Sequence, residues 1–505
     1  MTLDLIRLSF AYPGQSSSLF ADLNLQFARG WTGIVGPNGS GKTTLMLLAA
    51  GELPPSAGAV RLPGRAVYCQ QRTDDPPPAM PELLQIPDGT AAELVGRLGL
   101  RADWCTRWPT LSHGERKRAQ IACALWQRPA VLLVDEPTNH VDAATRGFLA
   151  AALAMFRGVG LLVSHDRELL DGLCQACLML TPPAAVLRPG GYTAASAAAD
   201  RDEQAMRRDR QIAQRRLQSL KSEVHERRIE ANAADARRSK RGIAKHDADA
   251  REKIDRARVS GKDGKAGRLL RQLDGRLAQA TERATAIPVH KQRKLGLGLA
   301  GEVARRVVLL QMPEQELPLG LDRVLQVPRL LIRSDDRIGV WGANGSGKST
   351  LIRRIVGGLD LPADKVVYLP QEVDAIMAAD LNRQVRSLSP AMLGDVLAGV
   401  ACLGSEPQRL LETELPSPGE ARKLMLALGL AHRPNLIVMD EPTNHLDLPS
   451  IECLEEALAQ CRCALILVSH DDRLLKRLTN VRWDIEDGEL RSKLCKQMSE
   501  QGRDS

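Results

Sequence analysis

One set of four short motifs is written twice in this chain, in the same order and at matched spacing. The first copy reads Gly36-Pro37-Asn38-Gly39-Ser40-Gly41-Lys42-Thr43, then Leu111-Ser112-His113-Gly114-Glu115, then Val131-Leu132-Leu133-Val134-Asp135-Glu136, then Ser164-His165-Asp166. The second reads Gly342-Ala343-Asn344-Gly345-Ser346-Gly347-Lys348-Ser349, Pro416-Ser417-Pro418-Gly419-Glu420, Leu436-Ile437-Val438-Met439-Asp440-Glu441 and Ser469-His470-Asp471. The separations Lys42 to Ser112 and Lys348 to Ser417 differ by one residue, and those from Glu115 to Glu136 and from Glu420 to Glu441 are identical. Such agreement requires two copies of one domain, and 505 residues leave room for both with a further segment between them.

Within each copy, short apolar runs alternate with amphipathic stretches. Ile34-Val35, Val131 to Val134 and Gly160 to Val163 are short, branched and followed by loop chemistry, so they predict buried parallel strands. Thr43 to Ala50, Gly114 to Gln127 and Arg167 to Leu173 predict the helices that follow. Alternating strands and helices make an α/β domain whose ligand lies at the carboxyl ends of the strands.

The first motif names the ligand. A GxxxxGK[ST] loop between strand and helix turns successive backbone N–H groups toward one point, and its glycines let phosphates come close. Gly36, Asn38, Gly39, Ser40, Gly41, Lys42, Thr43 and Thr44 form the first expected ATP cradle; Gly342, Asn344, Gly345, Ser346, Gly347, Lys348, Ser349 and Thr350 form the second. Lys42 and Lys348 are expected at the β and γ phosphates, with Thr43 and Ser349 as Mg²⁺ ligands. No Asn-Lys-x-Asp element stands by to read guanine.

Asp135 and Asp440 end apolar strands, which places a carboxylate beside Mg²⁺ and its waters, and the next residues, Glu136 and Glu441, are positioned as general bases for the attacking water. An acidic pair after a strand also occurs as a helix cap, but Asp-Glu-Pro-Thr-Asn-His recurs verbatim at 135–140 and 440–445. His165 and His470 close apolar strands at matched places and are expected to contact the γ phosphate and the water. Gln71 and Gln371, each three residues after a tyrosine, fit loops that sense Mg²⁺. Tyr12 lies ahead of the first loop at a distance suited to stacking on adenine, and no aromatic stands near 313–322 in the second copy.

The net charge of +8 is concentrated in the middle. Residues 201–294 carry 27 Lys and Arg against 14 Asp and Glu, a surplus of 13. Residues 196–290 contain no aromatic residue, so they cannot bury a core of their own. Their apolar residues recur at helical spacing, as at Ala205, Ile212, Leu217 and Leu220 and at Leu269, Leu270, Leu273 and Leu277. This predicts an antiparallel helical hairpin with its tip within about 236–265, a solvated linker being the bland alternative. A basic, aromatic-poor helical pair suits phosphate-backbone contact with structured RNA. The expected domains are thus 1–195, 196–302 (linker) and 303–490, with a polar tail at 491–505.

No uncharged apolar run reaches the length of a membrane span, and Met1-Thr2-Leu3-Asp4 opens without the basic and apolar regions of a signal peptide, so a cytoplasmic protein is expected. The ten cysteines form no framework. Cys174 and Cys177 lack a second pair at zinc-ribbon distance and fit packing on a helix better than a metal site, while Cys461 and Cys463 precede an apolar strand pattern.

The whole motif set resembles the ATP-binding cassette superfamily, whose LSxGE signature appears as Leu111-Ser112-His113-Gly114-Glu115 and, with Pro416 in place of leucine, as the second copy. In that superfamily the signature of one cassette caps the ATP of the other. The resemblance implies that Ser417, Gly419 and Glu420 face the site of Lys42, Glu136 and His165, and that Ser112, Gly114 and Glu115 face the site of Lys348, Glu441 and His470. It also implies ATP-driven closure of the cassettes. Two cassettes on one chain, a charged helical linker and the repeated Asp-Glu-Pro-Thr-Asn-His phrase resemble, more narrowly, the ABC-F family. That resemblance implies an ATPase on the ribosome, touching rRNA and tRNA through its basic linker, as a translation factor or in antibiotic resistance. A transporter motor needs a membrane partner that this chain does not carry. A DNA-repair or chromosome ATPase needs a coil that splits one cassette, or zinc cysteines.

Overall fold

A computed structural model describes the chain except for residues 15–17, 86–88, 140, 238–262, 287–300, 321–322, 404, 406, 408–415, 445 and 495–505. Two compact units result, Met1–Ala195 with Arg293–Ser505, and Ser196–Gln292. The fold is α/β: two P-loop cassettes joined by a helical linker.

Each cassette centres on a mostly parallel sheet. In the first, the strand order is Ala66–Cys69, Val131–Asp135, Val159–Val163, Gly30–Val35, Cys174–Thr181 and Ala184–Pro189, the last pair antiparallel. Val131–Asp135 and Val159–Val163 are buried along their whole length, as strands covered by helices on both faces must be. A separate antiparallel sheet joins Leu3–Phe10 to Phe20–Phe27 and Ala57–Arg61. In the second cassette the antiparallel strands Gln315–Gly320 and Arg323–Val327 join the main sheet through Glu489–Leu494, and Val481–Glu486, Arg337–Gly342, Ala464–Val468, Leu436–Asp440 and Val366–Leu369 complete it. In both, the P-loop strand sits centrally, so its carboxyl end opens where neighbouring strands also deliver their last residues.

Two sequence expectations are corrected. The helix Arg167–Leu173 ends before Cys174, and Cys174 and Cys177 lie on the strand Cys174–Thr181. Gly33 on the adjacent strand makes room for them: a Cβ there would stand 3.1 Å from the Cys177 sulfur and 3.4 Å from that of Cys174. The final strand continues to Leu494, pairing Leu494 with Val481, beyond the point where a polar tail was expected to begin.

The second unit contains most of the helix Tyr192–Arg237 and the helix Asp263–Ala286. Leu220 and Val224 pack with Leu273 and Ala280, and Arg228 pairs with Asp274 at 3.0 Å, which gives the two helices a narrow apolar seam between charged faces. The expected tip lies almost wholly outside the described residues, with Gly264 and Gly267 inside the second helix. Among the described residues no helix is long and apolar enough to cross a membrane.

Candidate functional site

Both phosphate loops adopt the conformation that their glycines permit. Gly39 and Gly41 have φ of +78° and +87°, and Gly345 and Gly347 have +73° and +103°, in the left-handed region costly for any side chain. Gly36 is required for closeness instead, since a Cβ there would lie 2.4 Å from the Leu180 carbonyl oxygen. Each loop ends at a lysine that begins a helix, Lys42–Ala50 or Lys348–Gly357. The Lys42 ammonium donates to the Gly36 and Pro37 carbonyls at 2.9 and 3.1 Å, and the Lys348 ammonium to those of Gly342 and Ala343 at 2.7 and 2.9 Å. Burial lowers the pKa of both lysines. Each is thus a desolvated cation held across its own loop, the arrangement that an anion relieves.

The hydroxyls after the lysines meet the strand-end aspartates. Thr43 donates to Asp135 Oδ2 at 2.8 Å, joined there by the Tyr68 hydroxyl at 3.0 Å, and the Ser349 hydroxyl bonds Asp440. Asp440 Oδ1 is buried with no hydrogen-bond partner. Hydroxyl and carboxylate oxygens of this kind, one orphaned, fit a hard divalent cation such as Mg²⁺. Gln71 and Gln371 line the cavity described below.

Glu136 and Glu441 carry φ of +46° and +49°, a conformation that non-glycine residues rarely adopt. Their amides donate to Val163 and Val468 at 2.9 and 2.8 Å, which locks the strained turn to the neighbouring strand. Both carboxylates are buried and stand against a histidine: His165 Nε2 is 3.1 Å from Glu136 Oε1, and His470 Nε2 is 3.4 Å from Glu441 Oε1. His470 also meets Asn344 Oδ1 at 3.0 Å. Burial, reinforced by Asp135, pushes Glu136 up to about 8, and burial pushes Glu441 up to about 7. Burial likewise lowers His165 to about 3 and His470 to about 4, so both rings are neutral near pH 7.

These shifts predict a stability profile for the nucleotide-free protein. Folded glutamates hold protons that unfolded ones release above 4.5, so their contribution falls as pH rises toward 8. The histidines act oppositely but only below 6.5, their ordinary value. Between pH 6.5 and 8 the glutamates act without the histidines, and the effect of Cys461, lowered to about 7 chiefly by its hydrogen bond with Cys463, is common to both proteins compared below. The melting temperature of the wild type is expected to drop across that window relative to Glu136→Gln/Glu441→Gln, measured by calorimetry. Parallel curves would show that the carboxylates ionise normally.

A cavity of about 1110 Å³ gathers residues of both cassettes. From the first come Asn38, Gly39, Gln71, Glu136 and His165; from the second come Asn344, Gly345, Gly347, Lys348, Ser349, Thr350, Gln371, Asp440, Glu441 and His470, with Ser417, Gly419 and Glu420. Ser417 caps the helix Pro418–Ala431 through a reciprocal capping box with Glu420, and Ser112 caps His113–Trp126 with Glu115 in the same way. Pro416 fills the buried place that Leu111 fills in the first copy, so the substitution keeps an apolar plug behind the helix start. Ser112, Gly114 and Glu115 do not line this cavity; Gly114 abuts the Thr145 side chain of its own cassette. The second signature therefore lines a cavity shared with residues of both phosphate loops, while the first signature does not.

Several contacts escaped the sequence reading. The Asn38 amide donates to Asp447 of the other cassette at 2.6 Å, and the Asn344 amide bonds Asp142 in the mirror sense. Both aspartates belong to the repeated Asp-Glu-Pro-Thr-Asn-His-[Val/Leu]-Asp phrase, and that repetition was the available signal. Leu319 and Arg323 line the cavity where the second copy lacks an aromatic, and Arg323 bonds the Gly345 carbonyl. Tyr12 packs edge-on to Phe10 at 5.0 Å and its hydroxyl meets Thr44 at 2.7 Å, leaving the ring partly exposed.

A family profile described as "ABC transporter" matches residues 20–139 and 325–398. The tylosin resistance ATP-binding protein TlrC of Streptomyces fradiae is 30% identical, covering 90% of this chain and 92% of its own. The ribosome protection protein VmlR of Bacillus subtilis (strain 168) is 26% identical, over 96% of this chain and 87% of its own. The archaeal ribosome recycling factor aABCE1, solved in complex with the ribosomal stalk protein aP1, shares the fold with a TM-score of 0.60 at 19% identity, over 96% of this chain and 89% of that one.

Proposed function

The chain belongs to the ABC-F family of the ATP-binding cassette superfamily, and on that premise we propose that it binds ATP at two sites between its cassettes, hydrolyses it, and works on the ribosome. The observation that carries the nucleotide half of this reading is the shared cavity. It joins the loop, glutamate and histidine of the first cassette to Ser417 and Gly419 of the second, with the Asn38 amide bonded to Asp447 across the boundary.

In this reading the amides of each loop and its lysine, Lys42 or Lys348, hold the β and γ phosphates. The lysine exchanges two carbonyl partners for phosphate oxygens. Thr43 with Asp135, and Ser349 with Asp440, hold Mg²⁺, near Gln71 and Gln371. Bound there, Mg²⁺ neutralises charge on the phosphates. Glu136 and Glu441 take the proton of the water that attacks the γ phosphorus, and carboxyls raised toward neutrality are well matched to that task. The neutral His165 and His470 orient the same water and the γ phosphate. The helix start at Ser417 presents backbone N–H groups to a γ phosphate from the opposite cassette, and the helix start at Ser112 does so only once the cassettes close further. Tyr12 lies against the first nucleotide's base.

The ribosome half rests on the relatives, a tylosin resistance protein and a ribosome protection protein, and on the basic linker, whose surplus of 13 positive charges fits rRNA and tRNA phosphates. We expect wild-type protein to sediment with ribosomes when ATP is present and not with ADP. Cell-free translation with and without tylosin separates the two physiological readings. Rescue of tylosin-inhibited synthesis supports protection, and a change in drug-free synthesis alone supports a translation factor. Ribosome binding that ignores nucleotide would count against both.

A further inference from the structure

The two halves are not mirror images where their histidine loops meet. Arg167, which directly follows Ser164-His165-Asp166, reaches into the second cassette. Its guanidinium binds Glu455 through two parallel bonds of 2.8 Å and donates to Asp471 at 3.2 Å. Arg167 is 4% exposed and Glu455 1%. Asp471 is the residue after His470. One side chain thus links the residues that flank both histidines.

The equivalent positions make no return link. The counterpart of Arg167 is Asp472, which accepts from Trp341 at 2.9 Å and pairs with Lys476 inside its own cassette. The counterpart of Glu455 is Ala150. The same bias appears at the cavity wall, where Arg146, bound to Asp166 at 3.0 Å, has Ile451 as its counterpart. Among the described residues the bridge is therefore one-sided. It is also rigidly mounted at both ends. Asp166 and Asp471 each cap the helix after their histidine, accepting from Leu169 and Leu474 at 3.0 Å, and each amide is held by the preceding serine. A buried bidentate pair such as Arg167–Glu455 fixes direction as well as distance.

We propose that Arg167 is a positioning residue that couples the two ATP sites, by tying the loop of His165 to the loop of His470 through Asp471 with Glu455 as its anchor. Movement of either loop on nucleotide binding then changes the cost of moving the other, which is coupling by a shared mechanical element. The inference rests on the functional reading above.

The test uses the full-length Glu136→Gln/Glu441→Gln protein, in which bound ATP is not consumed. ATP affinity at the first site is measured with the second site filled and with it emptied by Lys348→Ala, and the ratio is the coupling. We expect about fivefold or more. Asp471→Asn keeps the helix cap and the Arg167–Glu455 pair while removing the charge that Arg167 meets, and it is expected to bring the ratio to within about twofold of unity, the range of independent sites. Arg167→Lys keeps the charge without the fork and is expected to lower the ratio in part. Because both affinities in the ratio carry the same change at Asp471 or Arg167, a variant that merely weakens ATP everywhere does not move it. An unchanged ratio in Asp471→Asn, or a parent ratio of unity, would overturn the inference. Absence of ATP binding in the parent would instead remove the functional reading, and this inference with it.

Discussion

Replacing Glu136 and Glu441 together with glutamine is expected to cut ATP turnover by about 10²–10⁴-fold, the usual contribution of a positioned general base, and to leave ATP binding intact. Glutamine keeps the size of the side chain and an oxygen for the His165 and His470 amides, which now meet the carboxylates at 3.3 and 3.4 Å. What it removes is the acceptor of the water's proton. The phosphate cradle is built from other parts: loop amides, Lys42 and Lys348, and the oxygens of Thr43 and Ser349. Binding and chemistry therefore separate in one variant. Steady-state phosphate release and retention of labelled ATP measure the two, and the retained ATP should hold the protein on ribosomes. Wild-type turnover in the double variant would take both carboxylates out of the mechanism. Each single variant is expected to keep part of the turnover, because each cassette carries its own glutamate and histidine.

Much of this site was legible because its parts are local. A loop that needs positive φ needs glycine, so Gly39, Gly41, Gly345 and Gly347 announce the cradle in the sequence. A carboxylate after a fully buried strand announces the end of that strand, so Asp135 and Asp440 could be placed before any geometry was known. Of the contacts that escaped, the most distant in sequence are made between cassettes. Asn38 and Asp447 are 409 positions apart, and Arg167 and Glu455 are 288 apart. No periodicity or spacing rule connects such residues, since their meeting depends on how two finished domains dock.

Comparing the copies exposes a different kind of signal. Positions that agree in both copies, such as Glu136 and Glu441, proved to share backbone conformation to within a few degrees. Positions that disagree, such as Arg167 and Asp472, mark where the halves have parted. Cys174 and Cys177 were misplaced for a simpler reason: a helix and a strand abut there with no loop between Leu173 and Cys174 to punctuate the change.

Changing Arg237, Arg238, Lys240 and Arg241 to neutral residues is the second large effect expected, and it falls on ribosome binding alone. Arg237 is the last described residue of the helix Tyr192–Arg237 and the other three lie outside the described residues, all four in the segment that holds the charge surplus of the chain. Each lysine or arginine that meets a nucleic-acid phosphate releases counterions, so neutralising one should flatten the slope of log affinity against log salt by about 0.9 in a duplex and somewhat less on single strands. Neutralising all four would make binding both weaker at low salt and far less salt-sensitive. Basal ATP turnover should stay as it is, since Lys42, Lys348, Glu136 and Glu441 all belong to the cassettes. Co-sedimentation of the Glu136→Gln/Glu441→Gln protein with ribosomes across a salt series, with and without the four changes, measures the slope directly. An unchanged slope would make this segment a solvated strut that sets distance without touching RNA. A loss of basal turnover would assign it to holding the cassettes together.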